Sequence, residues 1–320
     1  MSVDVRAHRP GRMLMGRIAC VDGDFGGADI FSTLECVECV VAAPSKIPRA
    51  SGDRVKTDRR DAEHLVRLLL AGKLHPVRVP GDEEEALRDL VRAREAVRVD
   101  LMRSRHRLSK LLLRHGIRFE DGAAWTERHR AWLATVALEC PAAQATLLDV
   151  RGAIDALCHR RDGLEREILG LLPACPWAVQ IGRLRCLRGV DTLTAVGLCA
   201  EIGDFERFAR AEQLMSYIGV VPCEATTGQQ RRLGSITKTG SGHARRLLVE
   251  AAWHYRARPN IGRSLTDRQA DQPPEAIAVA WSAQRRLHRT WTRLEARAKI
   301  IAVAAARELA GFCWAITQIE

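Results

Sequence analysis

A mainly α-helical protein is what this sequence predicts, and three observations carry the prediction. Apolar residues recur at helical spacing over three long stretches, one opening at Asp82, one running from about Pro141 to Leu172, and one from Pro274 to about Leu309. Only one run, Cys39–Ala43 closed by Pro44, reads as a buried strand. Hydrophobic residues make up 47% and charged residues 28% of 320, the balance of a soluble globular chain long enough for a well-buried core and two or more structural units.

Taken in order, residues 1–34 give no clear element. Met13-Leu14-Met15 and Ile18-Ala19-Cys20-Val21 are apolar, but the alternation is weak and the following DGDFGGAD is turn-like. After the strand at Cys39, Ser45-Lys46-Ile47-Pro48 is a loop. Thr57 then caps a helix whose stripe is Ala62, Leu65, Val66 and Leu69 and which ends near Gly72. Asp58 and Asp61 share the first turn of that helix. Two readings fit them: carboxylates that favour the positive end of the helix dipole, or oxygen ligands for Mg²⁺, a hard cation held by one or two carboxylates plus substrate phosphates.

Pro80-Gly81 breaks the chain, and Asp82-Glu83-Glu84-Glu85 opens a long helix with acids in its first turn. Leu87, Leu101 and Leu108, with Leu90, Val97 and Leu111 offset, recur near heptad spacing. In the second stretch the stripe is Leu147, Leu148, Ile154, Leu157, Leu164, Ile168 and Leu171. An antiparallel hairpin, a coiled-coil arm and a plain helical core all satisfy this pattern. Residues Pro173–Trp177 form a linker candidate. Beyond it, Leu187–Leu198 resembles a helix-hairpin-helix, in which Gly189 would offer backbone N–H groups to a phosphate, with Asp191 where the second glycine is usual. In the tail, Ile277, Trp281, Leu287, Trp291, Leu294, Ala298 and Ile301 lie on one stripe.

The most distinctive stretch is Gly219–Tyr255, GVVPCEATTGQQRRLGSITKTGSGHARRLLVEAAWHY. From Ala225 to Val249 it has no acidic residue, while Arg231, Arg232, Lys238, His243, Arg245 and Arg246 alternate with hydroxyls and with Gly228, Gly234, Gly240 and Gly242. Glycines permit positive φ and close main-chain approach, and this mixture suits a loop laid against phosphates. A solvated basic surface loop is the plainer alternative. The formal charge of +11 points the same way, to a polyanionic partner, with nucleic acid ahead of anionic membrane. No signal peptide or membrane span is read, so the expected location is cytoplasmic. Ten cysteines are scattered, several inside apolar runs, as free thiols of a reducing compartment; Cys36 and Cys39 form a lone C-x-x-C.

Together, KTDRRDA at 56–62 and the block at 219–253, preceded by the Leu187–Gly197 hairpin, resemble the insertion-sequence "one-ten" family of transposases, which includes Piv-type invertases and bridge-RNA-guided recombinases. The resemblance implies a truncated α/β RNase H-like (RuvC-type, DEDD) domain over 1–80, a helical coiled-coil arm over 81–175, a transposase domain with hairpin and nucleophile block over 176–265, and a C-terminal amphipathic helix over 266–320. It implies Mg²⁺-assisted cutting and rejoining of DNA through a hydroxyl–DNA phosphodiester, in a homo-oligomer, with a structured guide RNA choosing targets.

Asp58 and Asp61 match the last two of the family's four metal-binding acids; Asp4 or Asp22 stands for the first, and no glutamate matches the second. The family's serine position is Thr227, before Gly228, with Ser235 and Ser241 nearby. Arg231, Arg232, Lys238, Arg245, Arg246 and Gly189 would contact nucleic acid. The alternative expectation is a catalytically impaired DNA- or RNA-binding remnant; outside the family, a structural protein gripping DNA phosphates fits the basic loop.

Overall fold

The computed structural model describes residues 2–9, 12–20, 39–42, 47, 57–74, 76–225, 232–295 and 298–319; the side chains of 2–9, 12–20, 39–40, 58 and 298–300 are outside the description. The chain divides into two compact units, Met1–Glu85 and Ala86–Glu320.

In the first unit, strands β1 (Ser2–Arg9) and β2 (Arg12–Cys20) form an antiparallel hairpin, and β3 (Cys39–Ala42) pairs in parallel with β2. The expectation that residues before Leu34 hold no clear element is therefore corrected. The hairpin register sets Val3, Val5 and Ala7 opposite Ile18, Gly16 and Leu14. That is the two-residue period of a strand, visible in Ser2–Arg9 but diluted in the second strand by the consecutive apolar Met13, Leu14 and Met15. Strand β3 has β2 on one side, and on the other the Val77 amide donates to the Val41 carbonyl at 2.8 Å beside an Ala42–Pro76 bridge.

Helix α1 (Asp58–Leu70) starts where the sequence predicts. The Thr57 hydroxyl accepts from the Arg60 amide, and Gly72 follows the helix with φ 63°. Leu65 and Leu68 are buried, and Ile47, Val66, Leu69 and Leu74 pack around Leu65. Helix α2 (Asp82–Arg114) is fixed at its start by Glu84, which accepts from the Gly81 amide at 3.3 Å and takes a bidentate pair from Arg78 at 2.7 and 2.6 Å.

The second unit opens within α2. After the turn at Gly116 (φ 71°) and Gly122 comes α3 (Glu127–Thr135), a helix the sequence reading did not separate from the turn. Then α4 (Pro141–Leu171) returns along α2. Arg94 pairs with Glu165, and Leu101 and Leu108 share one apolar cluster with Ile154 and Leu147. Residue numbers that rise on one helix fall on the other, so the two run antiparallel. Leu147, Ile154 and Ile168 fill the inner face, whereas Leu148 and Leu171, expected on the stripe, are about half exposed.

A single 3₁₀ turn (Leu172–Ala174) replaces the expected linker, and Trp177 is buried beside it. The larger core then gathers α5 (Ala178–Leu184), α6 (Thr192–Ile202), α7 (Ala211–Ile218), α8 (Gly242–Ala252), α10 (Pro274–Leu294) and α11 (Ala298–Thr317), while α9 (Arg263–Gln269) is tied to the α5–α6 turn by Arg268 and Gln269. A short hairpin, β4 (Pro222–Glu224) and β5 (Leu233–Ile236), projects between α7 and α8. Helix α6 buries every residue from Ala195 to Ile202.

The expected single tail helix is two helices, α10 and α11. Arg286 and Thr290 on α10 both bond to Glu308 on α11. Alanines 302, 305, 306 and 310 on α11 give it a small-residue face that lets α7, α8 and α10 approach closely. No helix among the described residues is long and apolar enough to cross a membrane. Cys186, Cys199 and Cys313 are buried free thiols, as the apolar settings predict; Cys36 lies outside the described residues.

Candidate functional site

The candidate site is assembled at the base of the β4–β5 hairpin. Helix α7 ends in the left-handed Gly219 (φ 76°), and the chain re-enters α8 through Gly240 (φ 65°). These two glycines let the two main chains cross. A Cβ on Gly219 would sit 2.3 Å from the Thr239 N and O atoms, and one on Gly240 would sit 2.1 Å from the Tyr217 carbonyl oxygen. Of the four glycines singled out in the basic loop, Gly240 has the expected positive φ; Gly234 and Gly242 do not, and Gly228 lies outside the described residues.

The crossing is tied by hydrogen bonds. The Lys238 amide donates to the Gly219 carbonyl at 3.1 Å, the Thr237 amide to Val221 at 2.9 Å, and the Thr239 hydroxyl to the Ser216 carbonyl at 3.0 Å. Arg245, from the first turn of α8, reaches back to the carbonyls of Ile218 at 2.8 Å, Gly240 at 3.2 Å and Thr239. Its guanidinium closes the base of the hairpin. The strands themselves stand out into solvent, with Leu233, Gly234 and Ser235 exposed.

Beneath this lies a polar network that sequence reasoning missed. Ser241 caps α8: its Oγ accepts from the Ala244 amide at 3.2 Å and donates to Glu201 Oε2 at 2.8 Å. Glu201, at 7% exposure, also takes Arg92 Nε at 3.1 Å, and His243 Nδ1 lies 3.4 Å from its Oε1. Burial alone would raise the Glu201 pKa, but hydrogen bonds from His243, Arg92 and Ser241 outweigh it and hold the carboxyl at about 2.

One layer further out, Glu95 takes Arg98 in a bidentate pair and Arg246 Nη2 at 2.7 Å, while Arg246 Nη1 bonds Glu250 at 2.6 Å. Against the desolvation that would raise it, those arginines keep the Glu95 carboxyl below its ordinary range. Arg88 adds a 2.6 Å bond to the Ala200 carbonyl. Long helix α2, buried helix α6 and loop-bearing helix α8 are thus joined by charge around a cavity of about 200 Å³ lined by Glu95, Arg98, His243 and Arg246. One signal could have found this network, an acid at 201 inside the otherwise apolar run AVGLCAEI, since a buried carboxylate must be paired.

The predicted site residues fall as follows. Thr227 and Arg231 lie outside the described residues, in the stretch 225–232 that connects the hairpin strands in sequence. Arg232 and Lys238 are exposed on the hairpin, Lys238 with a positive φ of 56°. Arg245 and Arg246 are brought to the hairpin base, one on carbonyls and the other on carboxylates. Ser235 is exposed on β5, and Ser241 is the cap just described. Gly189 (φ 81°) turns the chain between α5 and α6, where a Cβ would lie 2.5 Å from the Ala251 carbonyl oxygen.

In the first unit, Asp58 begins α1 and Asp61 is half-buried one turn on, its amide donating to the Thr57 carbonyl. Asp4 is a backbone position on β1 opposite Arg17, and Asp22 lies outside the described residues. Among the described residues no group of three or more His, Cys, Asp or Glu is placed to hold a metal ion. The donor set read at α1 is two carboxylate-bearing residues sharing one helical turn, which suits a hard divalent cation completed by substrate oxygens.

Comparison with known proteins gives a consistent result. Residues 182–266 match the model described as "Transposase IS116/IS110/IS902 family", and residues 33–117 match the DEDD transposase model of the IS110 type, described as "Transposase". The chain is 42% identical over 284 residues to "Putative transposase y4qE" of Sinorhizobium fredii, covering 88% of this chain and 70% of that one. It is 31% identical over 285 residues to the transposase for insertion sequence element IS1533 of Leptospira borgpetersenii, covering 88% and 82%. With the transposase for insertion sequence element IS1328 of Yersinia enterocolitica it shares 29% identity over 206 residues, covering 63% and 60%. The two matched segments enclose both α1 with its paired aspartates and the hairpin with its clamped base, and the chain belongs to the IS116/IS110/IS902 family of transposases.

Proposed function

We propose that this transposase cuts and rejoins DNA through the hydroxyl of Thr227, in a reaction that depends on a divalent cation, Mg²⁺, held by Asp58 and Asp61. The observation that carries the reading is the hairpin. Two exposed strands flank Thr227 in sequence, and their base is locked by the Gly219–Gly240 crossing, by Arg245 and by the Ser241 cap. Rigid support for a chemically active segment is what positional catalysis requires.

In this reading the Thr227 oxygen forms a bond to a DNA phosphorus as a phosphorus–oxygen bond to a deoxyribose breaks. The hydroxyl proton leaves to solvent or a nearby base, and the departing sugar oxygen takes one up. The bond energy stays in the protein–DNA ester, so reversal by another sugar hydroxyl rejoins the strand. Bound Mg²⁺ would neutralise developing charge on the phosphate oxygens. Lys238, Arg232 and Arg231 would hold the flanking backbone, with Arg245 and Arg246 keeping the base of the hairpin in place and Gly189 presenting its turn.

The family resemblance further supports a homo-oligomer working in the cytoplasm with a structured guide RNA. It also supports the arrangement of an RNase H-like piece over 1–80, a coiled-coil arm over 81–175 and a transposase domain from 176, with a helix-hairpin-helix at its entry. The test is cleavage of DNA carrying the element's own ends. Asp61→Asn is expected to lose cleavage while DNA affinity stays within about twofold, because one carboxylate contributes to metal binding and not to the basic surface. Undiminished cleavage by Asp61→Asn, or by wild type in excess EDTA, would overturn the metal assignment.

A further inference from the structure

We infer that a second cavity, of about 350 Å³ and walled by α2 and α4, is a nucleotide site that takes an unpaired nucleotide of a DNA strand, its phosphate on arginines and its base on an apolar wall. The sequence makes this cavity by breaking its own seam. Along α2 the heptad series through Leu87, Leu101 and Leu108 has Arg94 where a further leucine would fall. Leu87 and Val91 accordingly join the large core with Ile168, while Leu101 and Leu108 join the smaller one with Leu147 and Ile154. Arg94, Arg98 and Arg105 line the cavity from α2 and Arg161 from α4, and Glu165 is the one carboxylate in the lining.

Ion pairs between and along the helices account for part of this charge. Arg94 engages Glu165, Arg98 engages Glu95 and Arg161 engages Asp162, each through Nε and Nη2, so all three leave Nη1 without an acceptor among the described residues. Arg105 has no carboxylate partner there; its guanidinium lies over the Trp125 ring at 4.8 Å, which fixes its plane. The Arg94, Arg98 and Arg161 side chains are 23%, 23% and 25% exposed, so a ligand can reach them from solvent.

Four guanidiniums with spare N–H groups match an anion with several oxygens. An inorganic ion would leave most of the volume and the apolar wall unused. That wall is Leu101, Leu193 and Met102, the last 44% exposed. A phosphate carrying sugar and base uses both parts, and ligand pockets begin at roughly 300 Å³. The transposase reading supplies the strand, because cutting and rejoining DNA exposes unpaired nucleotides; the cavity and its lining stand apart from Thr227 and from α1.

The test is fluorescence anisotropy of a labelled single-stranded oligodeoxynucleotide with the full-length protein across a salt series. Arg161→Gln and Arg105→Gln are each expected to bind roughly tenfold more weakly, with the slope of log affinity against log salt reduced by about 0.7. Met102→Glu, at an exposed position where folding is little affected, should weaken binding at least as much by placing a carboxylate in the lining. Arg103→Gln removes the same charge from an exposed position of α2 outside the cavity and should stay within about twofold of wild type.

The site is overturned if Arg161→Gln, Arg105→Gln and Met102→Glu all bind like Arg103→Gln, and cleavage through Thr227 is untouched by that result. A deoxynucleoside monophosphate that raises the melting temperature of wild type but not of Arg161→Gln, with strand affinity equal in both, would mark a free-nucleotide site and overturn the strand assignment. Weakened strand binding in the three variants, alongside wild type that forms no Thr227 adduct, would keep the nucleotide site and defeat the cleavage reading.

Discussion

Replacing Glu201 with glutamine tests whether the polar network really supports the hairpin base. The folded carboxyl is held at about 2 against an ordinary 4.5. That difference, at about 1.4 kcal/mol per pH unit, corresponds to about 3 kcal/mol of stability at neutral pH. Arg92, one of its partners, has a half-exposed side chain (52%), so solvent screening trims the expected loss to about 2–3 kcal/mol. The sign follows from a depressed pKa. The contribution is complete above pH 4.5, declines as the unfolded carboxyl takes up a proton, and is gone once pH falls through about 2.

All seven tryptophans lie at or beyond residue 125, so urea unfolding followed by tryptophan fluorescence reports on the second unit alone. Glu201→Gln should unfold at lower urea than wild type at pH 7, with the gap narrowing by about 1.4 kcal/mol per unit from pH 4.5 downward. Equal stability at pH 7, or a gap that does not change with pH, would refute the assignment of charge pairing to Glu201.

Other outcomes follow from the hairpin base. Gly240→Ala places a Cβ 2.1 Å from the Tyr217 carbonyl oxygen at a positive φ; a loss above about 2 kcal/mol, measured by thermal melting, is expected together with loss of DNA cleavage. Arg245→Lys cannot span the carbonyls of Ile218, Thr239 and Gly240, and faster amide exchange over 219–225 and 232–240 should follow with little change at α10 and α11. Unchanged exchange in that variant would show that the guanidinium does not close the hairpin.

The helical skeleton was legible because its signals are local. Thr57, Pro80-Gly81 and Asp82–Glu85 mark helix starts whatever packs around them, and the stripe through Leu147, Ile154 and Ile168 has the period of an inner face. Leu148 and Leu171 satisfy the same period yet face solvent, since spacing alone does not say how wide a stripe its partner helix covers. The tail divided into two helices at Glu295 with no glycine or proline there to announce it.

At the site, the basic block and the aspartate pair stood out in sequence. The network of Glu95, Glu201 and His243 did not, because Glu201 and His243 lie 42 residues apart, Glu95 comes from a distant helix, and the three meet only through tertiary packing. Arg245 and Arg246 illustrate the limit of charge counting. Both read as phosphate contacts, and folding brings one to main-chain carbonyls and the other between two carboxylates.

The central claim is that Thr227 carries the chemistry, and trapping the protein on its DNA tests it most directly. Wild-type protein incubated with Mg²⁺ and DNA bearing the element's ends is denatured and run on a gel, and peptide mapping locates any residue joined to DNA. The account predicts an adduct at Thr227, retained in Thr227→Ser, where the β-methyl that stiffens χ1 is gone, and absent in Thr227→Ala. An adduct of equal yield in Thr227→Ala, or none in wild type, would contradict it.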